Sequence, residues 1–349
     1  MQKLRAVMEQ KGTDAFLVTK PENIRYLSGF TAGADAKLLI TPTQQLLFTD
    51  ARYWEQADLE CPDWELVKET TAGLDRLVEK VTACEHLALE GHYTTIELYR
   101  KLEAHLGHRL VPMSNTIEEL RQVKDESELK RLRQAAQIGD EVFTEIIPYI
   151  KTGVTERQIA SRIVYLLREK GCEKESFDTI AVSGPNAALP HGQPGDRVLN
   201  KGDMITLDFG GFYQGYAGDM TRTVVIGPVS DNLRDKYLRL LEAQQLGITA
   251  IRSGREGKEI DSIVRKRLEK YELAAYFTHG TGHGVGLEIH EKPSLSRLSD
   301  SILEENMVVT VEPGIYIPGW GGIRIEDTVI VKDGGCEVIT HSDKSLIIL

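Results

Sequence analysis

The feature that most restricts the fold is a near-repetition in the C-terminal part of the chain. The stretch IKTGVTERQIAS at 150–161 returns as IRSGREGKEIDS at 251–262, with Ile, Gly, Ile and Ser in matching places and a helical pattern after each copy. Farther on, PHGQP around His191 resembles IHEKP around His290, and DMITLDFGGFYQGYAGDMT resembles NMVVTVEPGIYIPGWGGIRIEDT. Matches that keep their order imply two half-domains of about 100 residues, each built as helix, helix and hairpin.

Residues 1–122 read differently. Short apolar runs at AFLVT, KLLITP, QLLFTD, HLALEG and RLVPM predict strands. Helices are expected at the N-terminus, from about Ala51, and over TTIELYRKLEAHL. This is a small α/β domain. Its histidines, His86, His92, His105 and His108, have no acidic cluster beside them in sequence and are assigned to surface or core. The charged run KDESE reads as a solvated linker, placing a boundary near residue 122. Beyond it, Ser127 followed by Leu129, Leu132, Ala136, Val142, Phe143, Ile146 and Ile147 predicts a long amphipathic helix. The expected organisation is a mixed α/β (α+β) chain with domains 1–122 and 123–349.

Composition sets the outer limits. With 41% hydrophobic and 27% charged residues the chain is globular, and a net charge of -11 argues against a nucleic-acid partner. The four cysteines, Cys61, Cys84, Cys172 and Cys336, form no CxxC pair and read as buried thiols of a reducing compartment. The start MQKLRAVMEQKGTDAF has no apolar export region, and no run approaches the roughly 18 apolar residues of a membrane span. The expectation is a cytoplasmic protein without membrane association.

The chemistry is concentrated in the hairpins. A turn centred on Tyr213 and Gln214 sets Asp208 opposite Asp219, with Cβ atoms about 5 Å apart on one face. Carboxylates that close repel, and one takes up a proton unless a cation sits between them. The second hairpin offers Glu312 in the place of Asp208 and Glu326 in the place of Asp219. Four carboxylates converging about a pseudo-twofold are neutralised by two divalent ions, and ions about 3.5–4 Å apart suit bridging carboxylates. Strand periodicity places Arg324 and Glu326 on one face and turns Asp327 away. A further ligand is sought in THGTGHGVGLEIHE, among His279, His283 and His290, where the glycines let backbone approach ions or substrate. No HExxH is present, and nothing completes a phosphate-cradling loop.

At these residues the chain resembles the pita-bread metallopeptidases, specifically the Xaa-Pro peptidases of prolidase and aminopeptidase P type. ENIRYLSGF and LLFTDARYW resemble the creatinase-type N-domain, and residues 123–349 resemble the pseudo-twofold pita-bread catalytic domain. The resemblance implies that Asp208, Asp219, His283, Glu312 and Glu326 hold a dinuclear site, with Asp219 and Glu326 able to touch either or both ions. It also carries over His191, His279, His290, Tyr316 and Arg324. A creatine-hydrolysing relative or a non-catalytic binding module would lack the five ligands.

The resemblance implies hydrolysis of the peptide bond preceding proline in short peptides. Glu312 is the expected proton acceptor, and His290 or His279 would stabilise the developing oxyanion. His191 and Tyr316 would shape the proline pocket. Arg324 would bind the substrate carboxylate or hold a ligand in place. The compact length favours an Xaa-Pro dipeptidase over an Xaa-Pro aminopeptidase, while a methionine aminopeptidase normally lacks such an N-domain. The oxygen-rich shell suits manganese or cobalt, with iron(II) or zinc also compatible. The resemblance implies a homodimer.

Overall fold

A computed structural model describes residues 1–69 and 74–349, which form two compact units, Met1–Arg121 and Gln122–Leu349. Among the described residues of the first unit the strands are β1 (Ala15–Val18), β2 (Ala36–Ile40), β3 (Gln45–Asp50), β4 (Glu65–Glu69), β5 (Leu87–Glu90) and β6 (Leu110–Met113). They form one sheet in the order β4-β3-β2-β1-β5-β6. Helices α1 (Gln2–Lys11), α2 (Pro21–Ser28), α3 (Trp54–Glu60), α4 (Asp75–Val81), α5 (Ile96–Leu106) and α6 (Thr116–Arg121) accompany it. Both faces of β1 are covered, which is why AFLV reads as a continuous apolar run. Phe16 and Val18 pack with Leu4, Met8 and Ile24, while Ala15 and Leu17 pack with Leu77, Val81, Leu102 and Leu106. Strand β4 is not among those the pattern predicts, because its sequence ELVKE buries only two of five positions at the sheet edge. His92 lies 3.0 Å from Glu118, so one of the four histidines does meet an acid that sequence distance concealed.

The second unit opens on α7 (Glu126–Ile146), whose start differs from the expected one. Asp125 is the N-cap: it accepts the Glu128 N–H, and the Glu128 carboxylate accepts the Asp125 N–H in return. Nor is the KDESE run a solvated linker. Lys124 is buried 2.7 Å from Glu291, and buried Glu128 accepts a hydrogen bond from Tyr216.

Helix α7 packs with α8 (Glu156–Glu169), and farther along α9 (Asp231–Ala250) packs with α10 (Gly257–Glu269). After α8 come β7 (Lys174–Glu175), β8 (Ile180–Ser183), β9 (Met204–Phe209), β10 (Gly211–Tyr213), β11 (Tyr216–Ala217) and β12 (Met220–Val225). After α10 come β13 (Gly282–Gly284), β14 (Glu291–Leu295), β15 (Val308–Val311), β16 (Gly314–Ile317), β17 (Gly321–Arg324), β18 (Asp327–Val331) and β19 (Cys336–Val338). The core sheets run β12-β9-β8 and β14-β13-β15-β18-β19. Each half is thus helix, helix and hairpin. Alternation on β9 sends Ile205, Leu207 and Phe209 into the core shared with α7 and α8. Thr206 and Asp208 are left on the opposite face. On β15 the same rule sends Val309 and Val311 to a core with Val329 and Val331, leaving Thr310 and the following Glu312 on the other side.

Candidate metal centre

The first hairpin turns at Gln214 and Gly215, both in left-handed backbone (φ 48° and 85°), one place later than the sequence suggests. The register that follows pairs Asp208 with Thr221, so Asp208 and Asp219 are diagonal rather than directly opposed. A one-residue shift of the turn centre moves a cross-strand partner by two places, which preserves its face. Both carboxylates therefore still point the same way. In the second hairpin, pairs Val311–Asp327 and Gly314–Arg324 bracket Glu312 and Glu326 and bring them level. Asp327 faces away, bonded to Arg222, Gln244, Thr340 and Lys344.

Asp208, Asp219, His283, Glu312 and Glu326 all line one cavity of about 530 Å³, together with His191, His279, His290, Tyr316 and Arg324. Within it Asp219, His283 and Glu326 bring one potential ligand atom each to within 4.8 Å of one another. Glu312 lies beside this group, its Oε1 3.2 Å from His283 Nε2, whereas Asp208 turns Oδ2 to Arg324 at 2.5 Å.

The electrostatics are those of a site built around positive charge. Burial, then the charges of Glu326 and Asp208, pushes the Asp219 carboxyl well above its usual range. Glu326 is pushed the same way by burial and by Glu312 and Asp208, and at Asp208 burial outweighs Arg324. Glu312 is the exception: burial opposes its charge, but His283 brings it down to about 2. His283 Nδ1 lies 3.1 Å from the Gly284 carbonyl, which can only accept, so Nδ1 carries a proton. Burial opposes a charge on the ring, but the hydrogen bond to Glu312 raises its pKa, and Nε2 is the nitrogen turned toward the carboxylates. Asp208 Oδ1 and Glu326 Oε1 are buried without hydrogen-bond partners. Crowded carboxylates, two unpartnered oxygens and an aimed imidazole nitrogen together fit a hard divalent cation.

The surrounding polar groups are tightly committed. Arg324 donates to Thr221 Oγ1, Tyr316 OH, the Pro190 carbonyl and Asp208, so it holds a carboxylate in place. Burial pushes the Tyr316 hydroxyl up to about 12, and that hydroxyl lies 2.9 Å from His279 Nε2. His279 Nδ1 in turn donates to the Gly280 carbonyl. Burial lowers the His279 pKa and keeps the ring neutral. Both His279 nitrogens are thus engaged within the protein. His290 packs its ring edge-on to His283, 4.2 Å between centroids, and burial lowers its pKa as well. His191 is exposed at the cavity mouth.

One expectation about this region needs revision. The glycines beside His283 serve chain-on-chain approach: a Cβ at Gly282 would meet the Thr310 carbonyl at 1.9 Å, and one at Gly284 the Lys292 carbonyl at 2.3 Å. Sequence reasoning also passed over the threonines. Each hairpin carboxylate has one two residues away on its own face, in the triplets TLD, DMT, TVE and EDT. Thr221 donates to Glu326 and Thr310 to Glu312.

Known proteins share this arrangement of chain. Residues 130–333 match Metallopeptidase family M24, and residues 1–123 match the Creatinase/Prolidase N-terminal domain. An Xaa-Pro dipeptidase of Pyrococcus furiosus is 34% identical over 99% of both chains. The structure of an Xaa-Pro dipeptidase from Bacillus anthracis superposes with a TM-score of 0.96 at 41% identity, covering 100% of this chain and 98% of that one. An X-Pro aminopeptidase from Thermotoga maritima gives 0.92 at 38% identity, over 98% and 100%. The chain belongs to metallopeptidase family M24 and is an enzyme that hydrolyses peptides.

Proposed function

We propose that the protein is a dinuclear metal-dependent Xaa-Pro dipeptidase. The observation that carries this reading is the convergence of Asp208, Asp219, His283, Glu312 and Glu326 in one cavity, with contributions from both halves. Those five residues would hold the ions, manganese or cobalt by preference, with iron(II) or zinc compatible with the same donors. When bound, such ions supply a water acidic enough to act as nucleophile and Lewis acidity at the scissile carbonyl.

The chain's own residues do the rest. Glu312, beside His283, would accept a proton as a carboxylate and pass it to the leaving nitrogen. His290, which lines the cavity, would donate to the developing oxyanion, since both His279 nitrogens are engaged. His191 and Tyr316 flank the space for the proline ring, whose imide nitrogen has no hydrogen to offer. Arg324 orients Asp208.

Because Arg324 is committed inside the protein, it does not read the substrate carboxylate, and support for a dipeptide substrate comes from the dipeptidase relatives. The Thermotoga maritima likeness favours the second reading, an Xaa-Pro aminopeptidase acting on longer peptides. Assay of the manganese-loaded protein on Xaa-Pro and on Xaa-Pro-Yaa-Zaa separates them. Turnover of the tetrapeptide at the dipeptide's rate would overturn the dipeptidase assignment. Free cysteines, Cys61, Cys84 and Cys172 buried and Cys336 half-buried rather than buried as expected, support a cytoplasmic setting, and the family resemblance supports a homodimer.

A further inference from the structure

Two hydroxyls steer the glutamates of the site. Thr221 Oγ1 accepts from Arg324 Nε at 3.1 Å and lies 2.7 Å from Glu326 Oε2. Thr310 Oγ1 accepts from the His283 backbone N–H at 3.1 Å and lies 3.2 Å from Glu312 Oε1. A hydroxyl has a single proton, and neither a guanidinium nor a backbone amide can accept it. Thr310 therefore has its proton free for Glu312, and Thr221 has its proton free for a carboxylate, Glu326 at 2.7 Å or the neighbouring Asp208. Both threonines are fully buried, so water does not compete.

We propose that Thr221 and Thr310 are positioning residues that fix which carboxylate oxygen of Glu326 and Glu312 is presented to the metal. At Glu326 the consequence is visible: Oε2 is taken by Thr221, while Oε1 stays buried without a partner. Thr206 supplies the contrast. It has the same spacing from Asp208, but its hydroxyl meets Thr223 and the Gly322 carbonyl instead of a carboxylate. The inference rests on the metal-dependent reading of the site.

The test is manganese binding to the chelator-stripped full-length protein, followed by calorimetry alongside thermal unfolding. Thr221→Val and Thr310→Val are expected to bind Mn2+ roughly 10–100-fold more weakly, the range typical of groups that orient metal ligands. Thr221→Ser, Thr310→Ser and Thr206→Val should stay within about threefold of wild type, below that range. If a valine variant does not fold, the alanine variant at the same position replaces it. Valine variants that bind as wild type, serine variants no better than valine, or an equal loss in Thr206→Val would each overturn the inference while leaving the metal site intact. A wild type that binds no divalent ion would instead remove the underlying metal reading, and the inference with it.

Discussion

Helices α8 and α10 begin at matching places in the two halves, Glu156 and Gly257, yet they secure their histidine-bearing loops by different means. Buried Glu156 accepts from Ser183 N–H and Oγ, Asn186 Nδ2 and Gly195 N–H, pinning the loop that leads to His191. At Gly257 a Cβ would lie 2.3 Å from the Ser294 carbonyl, so the second half has no room for a side chain there. Its loop is held one turn later. Asp261 accepts from Thr281 N–H and Oγ1, and Arg265, paired with Asp261, donates to the carbonyls of Phe277 and His279. The two halves share the route of the backbone and differ in the fastening. One loop presents an exposed histidine, while the other fixes His283, whose counterpart at the offset relating His290 to His191 is Gly184.

If both halves supply ligands, damage to either should silence the enzyme. Asp208→Asn and Glu312→Gln are each expected to lower kcat/KM by on the order of 10³-fold or more, equivalent to about 4 kcal/mol, and to reduce bound metal. Full activity in Asp208→Asn would mean that the second half works alone.

The two fastenings should also fail unequally. Asp261→Ala strands a buried guanidinium and is expected to cost about 3–5 kcal/mol. Glu156→Ala leaves neutral donors, some of which water can reach, and is expected to cost about 2–3 kcal/mol. Urea unfolding measures both, and equal losses would erase the distinction.

Where the halves meet, Glu326 of the second crowds Asp219 and Asp208 of the first. Its raised pKa means that the folded, metal-free protein holds a proton that the unfolded chain has already released above pH 4.5. The folded state then binds more protons, so stability falls as pH rises between the unfolded and folded pKa values. Against a Glu326→Gln reference, chelated wild type should lose about 1.4 kcal/mol per pH unit in that window. Added divalent ion should abolish the slope. A flat difference between the two proteins would show that the carboxylates do not repel.

Periodicity made the site legible wherever the answer depended on face alone. The alternation of MITLDF and of GIRIEDT aims Asp208 and Glu326 into the cavity and Asp327 out of it, whatever the turn does. Register was not legible, because Gln214 adopting left-handed backbone moved the turn by one residue, and no local pattern announces that. Buried ion pairs were equally hidden. Lys124 and Glu291 look like surface charges in sequence, and only the fold joins residues 167 places apart. The strand ELVKE and the short helices α2, α4 and α6 lacked the length over which a period can be counted.

The smallest contrast lies at the N-cap positions of the two helices, Thr155 and Glu256. Thr155 caps α8 with a reciprocal pair, accepting from Gln158 N–H while Gln158 Oε1 accepts the Thr155 N–H. Glu256, at the same place before α10, has extended backbone (φ -80°, ψ 140°) but makes no side-chain cap. Its backbone is close to that of Thr155 (φ -91°, ψ 157°), so a short hydroxyl side chain should reach the N3 amide without rearrangement. Thr155→Ala is expected to cost about 1 kcal/mol, and Glu256→Ser to gain about 0.5–1 kcal/mol, both by urea unfolding of the metal-loaded protein. A gain at Glu256 would show that the second half left this stabilisation unused. A loss would mean that the pairing of the Glu256 carboxylate with Lys258 does more for the helix start than a cap would.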